Sequence, residues 1–315
     1  MEIVDHYGLA LALVPPDEVA DEPWRRAERH IDVARVPDPP DGALGVLAAH
    51  GFLRKPATVT WLAELGPDED AFLERLPRLR RQDVRRARRH AVAGGLREVV
   101  EEPVSPESLD AFFALYAERV ADMRFGVPFA LGYREAILQG PDKWFGVYAH
   151  EASGPLAGAC LVREEPERDA AVLRFSAVTA LHRRSSLARV LYLSALRVAR
   201  RKGYRYATLG NEPNLMGHLT KPGLFGFKSG LGFEPIPSHR FGDPDAADEA
   251  DLVLDLSNLG DPTFLLAYAA RDRSGAHAEK PELAGHLFHT GTVDTARYGA
   301  PFLAPTTVHR MAAEA

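Results

Sequence analysis

Basic, hydroxyl and acid/base side chains concentrate in two stretches of the chain that could bind an anion and move a proton. The first, at 182–188, reads His-Arg-Arg-Ser-Ser-Leu-Ala and stands directly before a long amphipathic segment. The second, at 227–233, reads Phe-Lys-Ser-Gly-Leu-Gly-Phe, and Glu212 and His218 precede it. The first backbone N–H groups of a helix lack partners within it, so arginines and hydroxyls at a helix start suit a phosphate. Lysine, glutamate and histidine can stabilise developing charge or transfer a proton.

The elements that must position the first stretch follow from hydrophobic patterning. Three apolar runs at 144–149, 156–163 and 171–177 are separated by turn residues, which predicts an antiparallel meander. A helix from about Ser185 to Arg201 comes next, with Ser185 and Ser186 as candidate N-caps. A further strand at 204–209 follows Gly203, and this strand-helix-strand order predicts a parallel pair.

Elsewhere the patterns predict further strands and helices, and they divide the chain into four segments. An acidic start at 68–70 leads into an arginine-rich helix that ends at Gly94-Gly95, and Ser105-Pro106 begins another helix. Strands are expected at 9–14, 58–65 and 96–100, a last strand pair at 233–236 and 252–256, and a helix at 263–270. The expected division is 1–56 as an N-terminal extension or partial lobe, 57–95 as strand plus arginine-rich helix, 96–258 as the central domain and 259–315 as a C-terminal extension.

Composition excludes several classes of protein. The 315 residues carry a net charge of −6 and a single cysteine, Cys160, inside an apolar segment, so neither a disulfide framework nor a cysteine-rich metal site is available. No apolar run approaches the roughly 18 residues needed to span a bilayer, and the N-terminus lacks the pattern of a secretory signal. A soluble, cytoplasmic protein is expected. The histidines at 277, 286 and 289 lack paired carboxylates, so we expect surface residues and no metal.

The arginine-rich helix has two interpretations. Eight arginines fall between residues 75 and 89, with an apolar stripe at helical spacing formed by Leu76, Leu79, Val84 and Ala87. The basic face could contact RNA phosphates, with Arg81, Arg85, Arg86 and Arg89 as the candidates. Alternatively it is a solvated face paired with neighbouring acids, namely Glu69, Asp70, Glu74 and Asp83.

From about Leu96 to Leu256 the order of elements resembles the GNAT acyltransferase fold. That resemblance implies an α/β (α+β) fold with a mixed, mostly antiparallel sheet splayed between its fourth and fifth strands. The segments at 60–65, 81–87 and 227–232 further resemble the Fem-type aminoacyltransferases, which move an amino acid from aminoacyl-tRNA to an amine. The resemblance thus implies an amide-forming acyltransferase with aminoacyl-tRNA as co-substrate and no bound cofactor.

The resemblance also assigns candidate roles to residues. The turn at 183–188 fits the Arg/Gln-x-x-Gly-x-Gly/Ala frame of acyl-CoA enzymes except that Ser186 replaces the central glycine; the donor-binding candidates are Arg183, Arg184, Ser185, Ser186, Ala188, Phe227 and Lys228. Lys228 would balance phosphate charge or the tetrahedral oxyanion. Glu212, just past the fifth strand, and His218 are the acid/base candidates. Asp122, Arg124 and Tyr133 could line the acceptor pocket.

Alternatives remain open at the level of both function and residue. The donor could be acyl-CoA rather than aminoacyl-tRNA, or the chain could be a catalytically inactive GNAT-like module that binds RNA through the arginine-rich helix. The acceptor is expected to be a small-molecule amine, for instance in specialised-metabolite biosynthesis. Lys228, Glu212 and His218 could each be ordinary solvated residues.

Overall fold

Strands and helices alternate along most of the chain in the computed structural model, which describes residues 1–269 and 281–312. The strands are β1 Glu2–His6, β2 Leu9–Leu13, β3 Val33–Pro37, β4 Leu53–Pro56, β5 Thr58–Glu64, β6 Arg97–Glu101, β7 Trp144–His150, β8 Leu156–Glu165, β9 Ala170–Val178, β10 Tyr206–Pro213, β11 Glu234–Pro237, β12 Asp248–Val253, β13 Thr263–Tyr268, β14 Leu283–His289 and β15 Ala304–Arg310. The helices are α1 Leu44–Ala49, α2 Glu69–Glu74, α3 Arg78–Ala93, α4 Pro106–Ala121, α5 Arg134–Gln139, α6 Ala180–Arg183, α7 Leu187–Arg201 and α8 Gly223–Ser229. No helix in the described residues is both long and apolar enough to cross a membrane.

The chain divides into two units that interleave along the sequence. The first comprises residues 1–60, 211–229 and 234–315, and the second comprises 61–210 and 230–233. These units follow spatial packing, whereas the expected segments 1–56, 57–95, 96–258 and 259–315 follow the chain in order.

The first unit contains a five-stranded sheet and a three-stranded sheet. The five-stranded sheet has the order β1-β2-β3-β12-β4, and the three-stranded sheet has the order β13-β14-β15. Four charges lie on one face of the five-stranded sheet, three of them buried and Arg35 partly buried: Lys55 is within ion-pair distance of Glu249 and Asp251, and Arg35 donates to Asp251 at 2.7 Å. Two cations and two carboxylates balance, which offsets the cost of removing charge from water.

The second unit contains the predicted meander and the strand-helix-strand unit. Within this unit the strands follow the order β10-β9-β8-β7-β6, and β6 to β9 lie entirely within it. Neighbouring strands from β6 to β9 are antiparallel, and β10 is parallel to β9. The Ser105 hydroxyl accepts from the backbone N–H of Ser108 and so caps α4, whose apolar face packs on the sheet through Leu109, Phe112 and Phe113. The mixed α/β class is confirmed.

The sheet opens between β9 and β10, the fourth and fifth strands counted from β6. Their register pairs three positions, from Tyr206 opposite Ala170 to Thr208 opposite Val172. Beyond Val172, β9 continues to Val178 along β8, and no further β9–β10 pair occurs in the described part of the chain. The gap that starts at Val172 and Thr208 is called the opening below.

Several predicted elements are wrong. The helix expected at 263–270 is the strand β13, because its uninterrupted apolar run is buried against β14, and periodicity cannot separate a buried strand from a buried helix; residue 270 lies outside the described residues. The expected last strand pair does not form, since β11 and β12 belong to different sheets. The single helix expected from residue 68 is two, because Pro77 lacks an N–H and separates α2 from α3. Leu79, assigned to the apolar stripe, is 63% exposed.

Candidate active site

Arg174 on β9 lies at the opening, and sequence reasoning missed it. The β8–β9 register pairs Leu161 with Phe175 but Val162 with Leu173, so Arg174 is an extra residue in a β-bulge. Its guanidinium carbon lies 5.6 Å from the centre of the Tyr133 ring, and it donates a hydrogen bond to Tyr133 Oη at 3.3 Å. A Cβ on Gly210 of β10 would lie 3.8 Å from Arg174 Nη1. An exposed cation therefore lies between the diverging strands.

Aromatic rings form one wall beside Arg174. The Phe175 ring contacts Tyr133 at a centroid distance of 5.1 Å and stacks parallel to Trp144 at 6.3 Å. Tyr116 of α4 contacts Phe175 at 6.0 Å. Burial raises the pKa of Tyr116, opposed by a backbone hydrogen bond with Ala130 and by the charge of Arg174. Tyr116 therefore stays a neutral phenol, whose hydroxyl can donate or accept a hydrogen bond.

The turn before α7 differs from the expected capping arrangement. Neither serine caps the helix: Ser185 Oγ donates to the carbonyl oxygen of His182 at 2.8 Å, and Ser186 makes no capping hydrogen bond. Ser186 instead has φ of +61° and ψ of +33°, the left-handed conformation that glycine adopts most readily. Arg183 and Arg184 are exposed. The turn has a glycine-like backbone and two cations beside the N-terminal end of a 15-residue helix.

The arginines of α3 sort into two groups. Asp83 pairs with Arg80 at 3.5 Å and Arg86 at 2.7 Å, and Glu69 pairs with Arg88 at 2.6 Å. A second group, called the arginine stripe, follows one helix face at spacings of three or four residues: Arg78, Arg81, Arg85 and Arg89. In the described chain, Arg81 donates to the carbonyl oxygen of Glu74 and the other three have no carboxylate partner. Arg86, an RNA candidate from the sequence, is thus already ion-paired.

The α3 helix lies next to the first turn of α7. Arg189 of α7 is buried and has its pKa lowered, first by burial and then by Arg80 and Arg86, while Asp83 opposes the shift. Charges on α3 are therefore close enough to act on a residue three positions past Ser186. The basic turn and the arginine-rich helix belong to neighbouring parts of one unit.

Lys228 and Glu212 form a buried ion pair in the first unit. Lys228 Nζ lies 2.5 Å from Glu212 Oε2, and the two residues are 8% and 7% exposed. Burial lowers the pKa of Lys228, and the attraction of Glu212 offsets part of that shift. The sequence predicted Glu212 just past the fifth strand, but Glu212 lies within β10. Neither residue is a solvated surface group, and the pair could stabilise a negative charge or relay a proton.

His218 is buried between backbone carbonyls. Its Nδ1 lies 3.0 Å from the carbonyl oxygen of Asn258, and its Nε2 lies 3.0 Å from that of Tyr7. Both ring nitrogens thus contact backbone acceptors that hold the ring in place. These two contacts fix the His218 ring within the first unit. Its acid/base role stays a prediction.

Two of the three acceptor candidates point elsewhere. Asp122, at the C-terminal end of α4, accepts from Arg119 at 2.8 Å, and Arg124 lies over the Phe125 ring at 4.9 Å. In the described residues neither forms a hydrogen bond or ion pair with Tyr133, the candidate beside Arg174. The structure thus places Tyr133 at the opening, and Arg174 is the residue that joins it there.

The Gly-Leu-Gly-Phe part of the second motif has a packing role. Gly230 accepts a hydrogen bond from Arg189 Nη1 at 3.0 Å through its carbonyl oxygen, and Leu231 and Phe233 are fully buried. Gly232 has φ of +90°, and a Cβ there would lie 2.9 Å from Leu76 Cδ2 and 3.0 Å from Phe72 Cζ. Only glycine meets both the backbone and the steric requirement at this position.

Gly232→Ala is expected to lower the free energy of unfolding by about 2–4 kcal/mol, because left-handed backbone strain adds to overpacking against buried side chains. Urea denaturation measures the change. Gly223→Ala is the control, since no atom lies within 4 Å of a Cβ built there and its φ is ordinary. Equal, small effects of the two substitutions would contradict the packing role of Gly232.

The tail histidines are not all surface residues. His286 Nδ1 and His309 Nε2 are 2.9 Å apart, and the two rings stack at 5.2 Å. Burial, assisted by His309, lowers the pKa of His286 to about 4. His289 is half-buried, and residue 277 lies outside the described residues. His286 is likewise half-buried, and it is paired with His309 rather than surrounded by solvent.

One group of possible metal ligands occurs in the described residues, formed by His30, Asp32 and Asp255. Asp32 is fully buried, and its carboxylate accepts from the backbone N–H of Ala10 at 2.7 Å and from the Asn258 amide. These hydrogen bonds explain its burial without an ion. The prediction of no metal stays a prediction.

Comparisons with known proteins find solved structures that this chain resembles. No protein-family model matches this sequence, and no curated protein matches it. Similar solved structures include FemX, at 14% identity and a TM-score of 0.45, covering 80% of this chain and 83% of that one. A tandem GNAT protein from the clavulanic acid biosynthesis pathway gives 18% identity and a TM-score of 0.40, covering 70% of this chain and 63% of that one. The C-terminal domain of a putative lysylphosphatidylglycerol synthetase from Agrobacterium fabrum gives 17% identity and a TM-score of 0.41, covering 77% of each chain.

FemX and GNAT proteins are the two kinds of protein that the sequence motifs resemble. At these identities the similarity concerns the fold alone.

Proposed function

We propose that this protein is an N-acyltransferase that transfers an aminoacyl group from aminoacyl-tRNA to the amine of a small molecule. The observation that carries the proposal is the arginine stripe, four aligned guanidinium groups without carboxylate partners in the described chain, on the helix beside the basic turn of α7. Seven arginines and one aspartate give α3 a charge of +6, whereas the whole chain has −6, so the remainder carries −12. Such a local concentration of positive charge favours a polyanionic partner.

The chemistry needs positioning and charge stabilisation rather than a covalent enzyme intermediate. The neutral amine attacks the ester carbonyl; a C–N bond forms, the C–O bond to the ribose breaks, and the amine proton is transferred to the departing ribose oxygen. The opening between β9 and β10 gives a place for the reacting groups, and Tyr116 and Tyr133 place phenols beside it. We assign Lys228, paired with Glu212, to stabilising the oxyanion or donor phosphate.

The donor is tested by tRNA binding across a salt series, because each phosphate contact contributes about −0.7 to −0.9 to the slope of log K against log salt. With four contacts, affinity is expected to fall roughly 100-fold between about 50 and 200 mM KCl. Arg85→Gln/Arg89→Gln should reduce the magnitude of the slope by about 2 and weaken binding at least tenfold. Fluorescence anisotropy with a labelled tRNA pool measures both.

The matched control is Arg86→Gln/Arg88→Gln, which removes two charges from the same helix that are already paired with Asp83 and Glu69. It should change the slope by less than about 1. Equal slopes in the two double variants would contradict specific use of the stripe. Binding without turnover on any aminoacyl-tRNA would instead favour the inactive RNA-binding module.

Acyl-CoA is the second candidate donor, and the conformation of Ser186 favours it. At φ of +61° the turn adopts the backbone that a glycine would give, with the serine side chain exposed, so the pyrophosphate cradle is not blocked by its conformation. Calorimetric titration with acetyl-CoA tests this alternative. Binding that is lost in Arg183→Ala/Arg184→Ala, with tRNA affinity absent, would replace aminoacyl-tRNA by acyl-CoA as donor.

A further inference from the structure

The β-bulge directs two consecutive side chains of β9 toward the same ring. Side chains normally alternate between the faces of a strand, but a bulge re-aims the extra residue. Arg174 is that extra residue, and both it and Phe175 contact Tyr133. The backbone irregularity therefore brings a cation to the aromatic side of the sheet at the point where β9 and β10 separate.

Aromatic contacts and one hydrogen bond fix the guanidinium. Its carbon lies 5.6 Å from the Tyr133 ring centre and 5.3 Å from the Phe175 ring centre, distances at which a cation is attracted to a ring face. Tyr133 Oη accepts one hydrogen bond at 3.3 Å. A guanidinium has five N–H donors, and in the described residues Tyr133 Oη is the only hydrogen-bond acceptor of Arg174, so four donors remain for a ligand.

No acidic side chain neutralises Arg174 within the described residues, where its contacts are aromatic rings and a phenol. Arg174 is exposed, whereas its neighbours Leu173 and Phe175 are buried, at 4% and 6% exposure. The buried neighbours hold the backbone while the charged end stays accessible. A planar fork of donors fixed in this way matches the two oxygens of a carboxylate.

We propose that Arg174 binds a carboxylate of the acceptor, so that the acceptor class is an amine that also carries a carboxylate. This inference deepens the proposed acyl transfer and rests on it for the identity of the ligand as acceptor. A single guanidinium carries one positive charge, which balances a monoanionic carboxylate. Arg174 is thus a specificity-determining residue at the opening.

Binding is tested first without turnover. The Nε–H signals of the 315-residue protein labelled with [15N]arginine are followed by NMR, and the Arg174 signal is assigned by its loss in Arg174→Lys. Glycine and glycinamide are the probes, because they share the amine and differ in the carboxylate. Glycine at millimolar concentration is expected to shift the Arg174 signal, glycinamide is not, and the exposed Arg201 should respond to neither.

Turnover gives the second measurement. The ratio of kcat/KM for glycine to that for glycinamide is expected to fall roughly 10- to 100-fold in Arg174→Gln, the loss for a hydrogen bond to a charged group. Arg201→Gln is the matched control, an exposed arginine of the same unit outside the site, and should leave the ratio unchanged. Tyr133→Phe keeps the ring but removes the oxygen that accepts from Arg174, so it should raise KM for glycine.

The two measurements separate the two hypotheses. An Arg174 signal that shifts with glycine, in a protein that turns over no donor, would retain the carboxylate site and overturn the acyl transfer. Turnover with an unchanged glycine-to-glycinamide ratio in Arg174→Gln would overturn the carboxylate site alone. Stronger binding of phosphoethanolamine than of glycine at Arg174 would also overturn it, in favour of a phosphate.

Discussion

Lys228→Met is expected to lower the free energy of unfolding by about 3–5 kcal/mol, because it leaves Glu212 buried without the ammonium that lies 2.5 Å away. Lys228→Met/Glu212→Gln should recover most of that loss, since a neutral pair replaces a buried ion pair of similar size. Urea denaturation of the single and double variants measures this coupling directly. A double variant that is more stable than Lys228→Met would establish that the two charges stabilise each other in the folded protein.

The double variant then isolates catalysis from folding. If Lys228 stabilises the oxyanion or the donor phosphate, kcat of the folded double variant should fall about 10²- to 10³-fold, as on removal of one oxyanion-stabilising donor. Lys55→Met/Glu249→Gln is the control, because it removes another buried lysine-glutamate pair of the first unit while Asp251 keeps Arg35 at 2.7 Å. A wild-type kcat in Lys228→Met/Glu212→Gln would show that this pair stabilises the fold and takes no part in catalysis.

Acidification should weaken the folded protein through His286, by about 2 kcal/mol between roughly pH 7.5 and 5. The pKa of His286 is about 4 in the folded protein against 6.5 as the ordinary value. Between these values the unfolded chain binds a proton that the folded chain does not, so stability falls as pH falls. Above about pH 7 both states are neutral at this position, and the effect disappears.

The measurement is urea denaturation at both pH values for wild type and His286→Gln. Subtracting the variant removes the contribution of carboxylates that also titrate. His289→Gln, on the same strand, is the control and should retain the wild-type acid dependence; its ring contacts the carbonyl oxygen of Gly291 instead of another histidine. If His286→Gln and wild type lose the same stability on acidification, the half-buried histidine pair is not the cause.

Locally encoded features of the second unit could be predicted from the sequence. The meander from β7 to β9, the start of α4 at Ser105-Pro106 and the strand-helix-strand order through α7 each depend on residues within a few positions of one another. Turn residues, a capping hydroxyl and hydrophobic periodicity act over that range. The parallel pairing of β9 and β10 then followed, because a helix joins them.

The sequence predicted the types of the candidate site residues but not the partners that surround them. The sequence identified Lys228 and Glu212, yet their pairing joins positions 16 residues apart. Likewise it identified the arginines of α3, but only the positions of Asp83 and Glu69 separate the paired arginines from the stripe. Charge counts give the number of ions, whereas their partners depend on tertiary packing.

By itself the sequence determined the α/β class, the order of elements around the opening and the types of side chain available for anion binding, because these follow from local propensity and periodicity. Tertiary structure alone decided that residues 263–268 form a strand, since their apolar run fits any buried element until β14 pairs with it. It also decided that Arg174 faces Tyr133, since a bulge arises from the register between β8 and β9 and leaves no signal in the sequence of either strand.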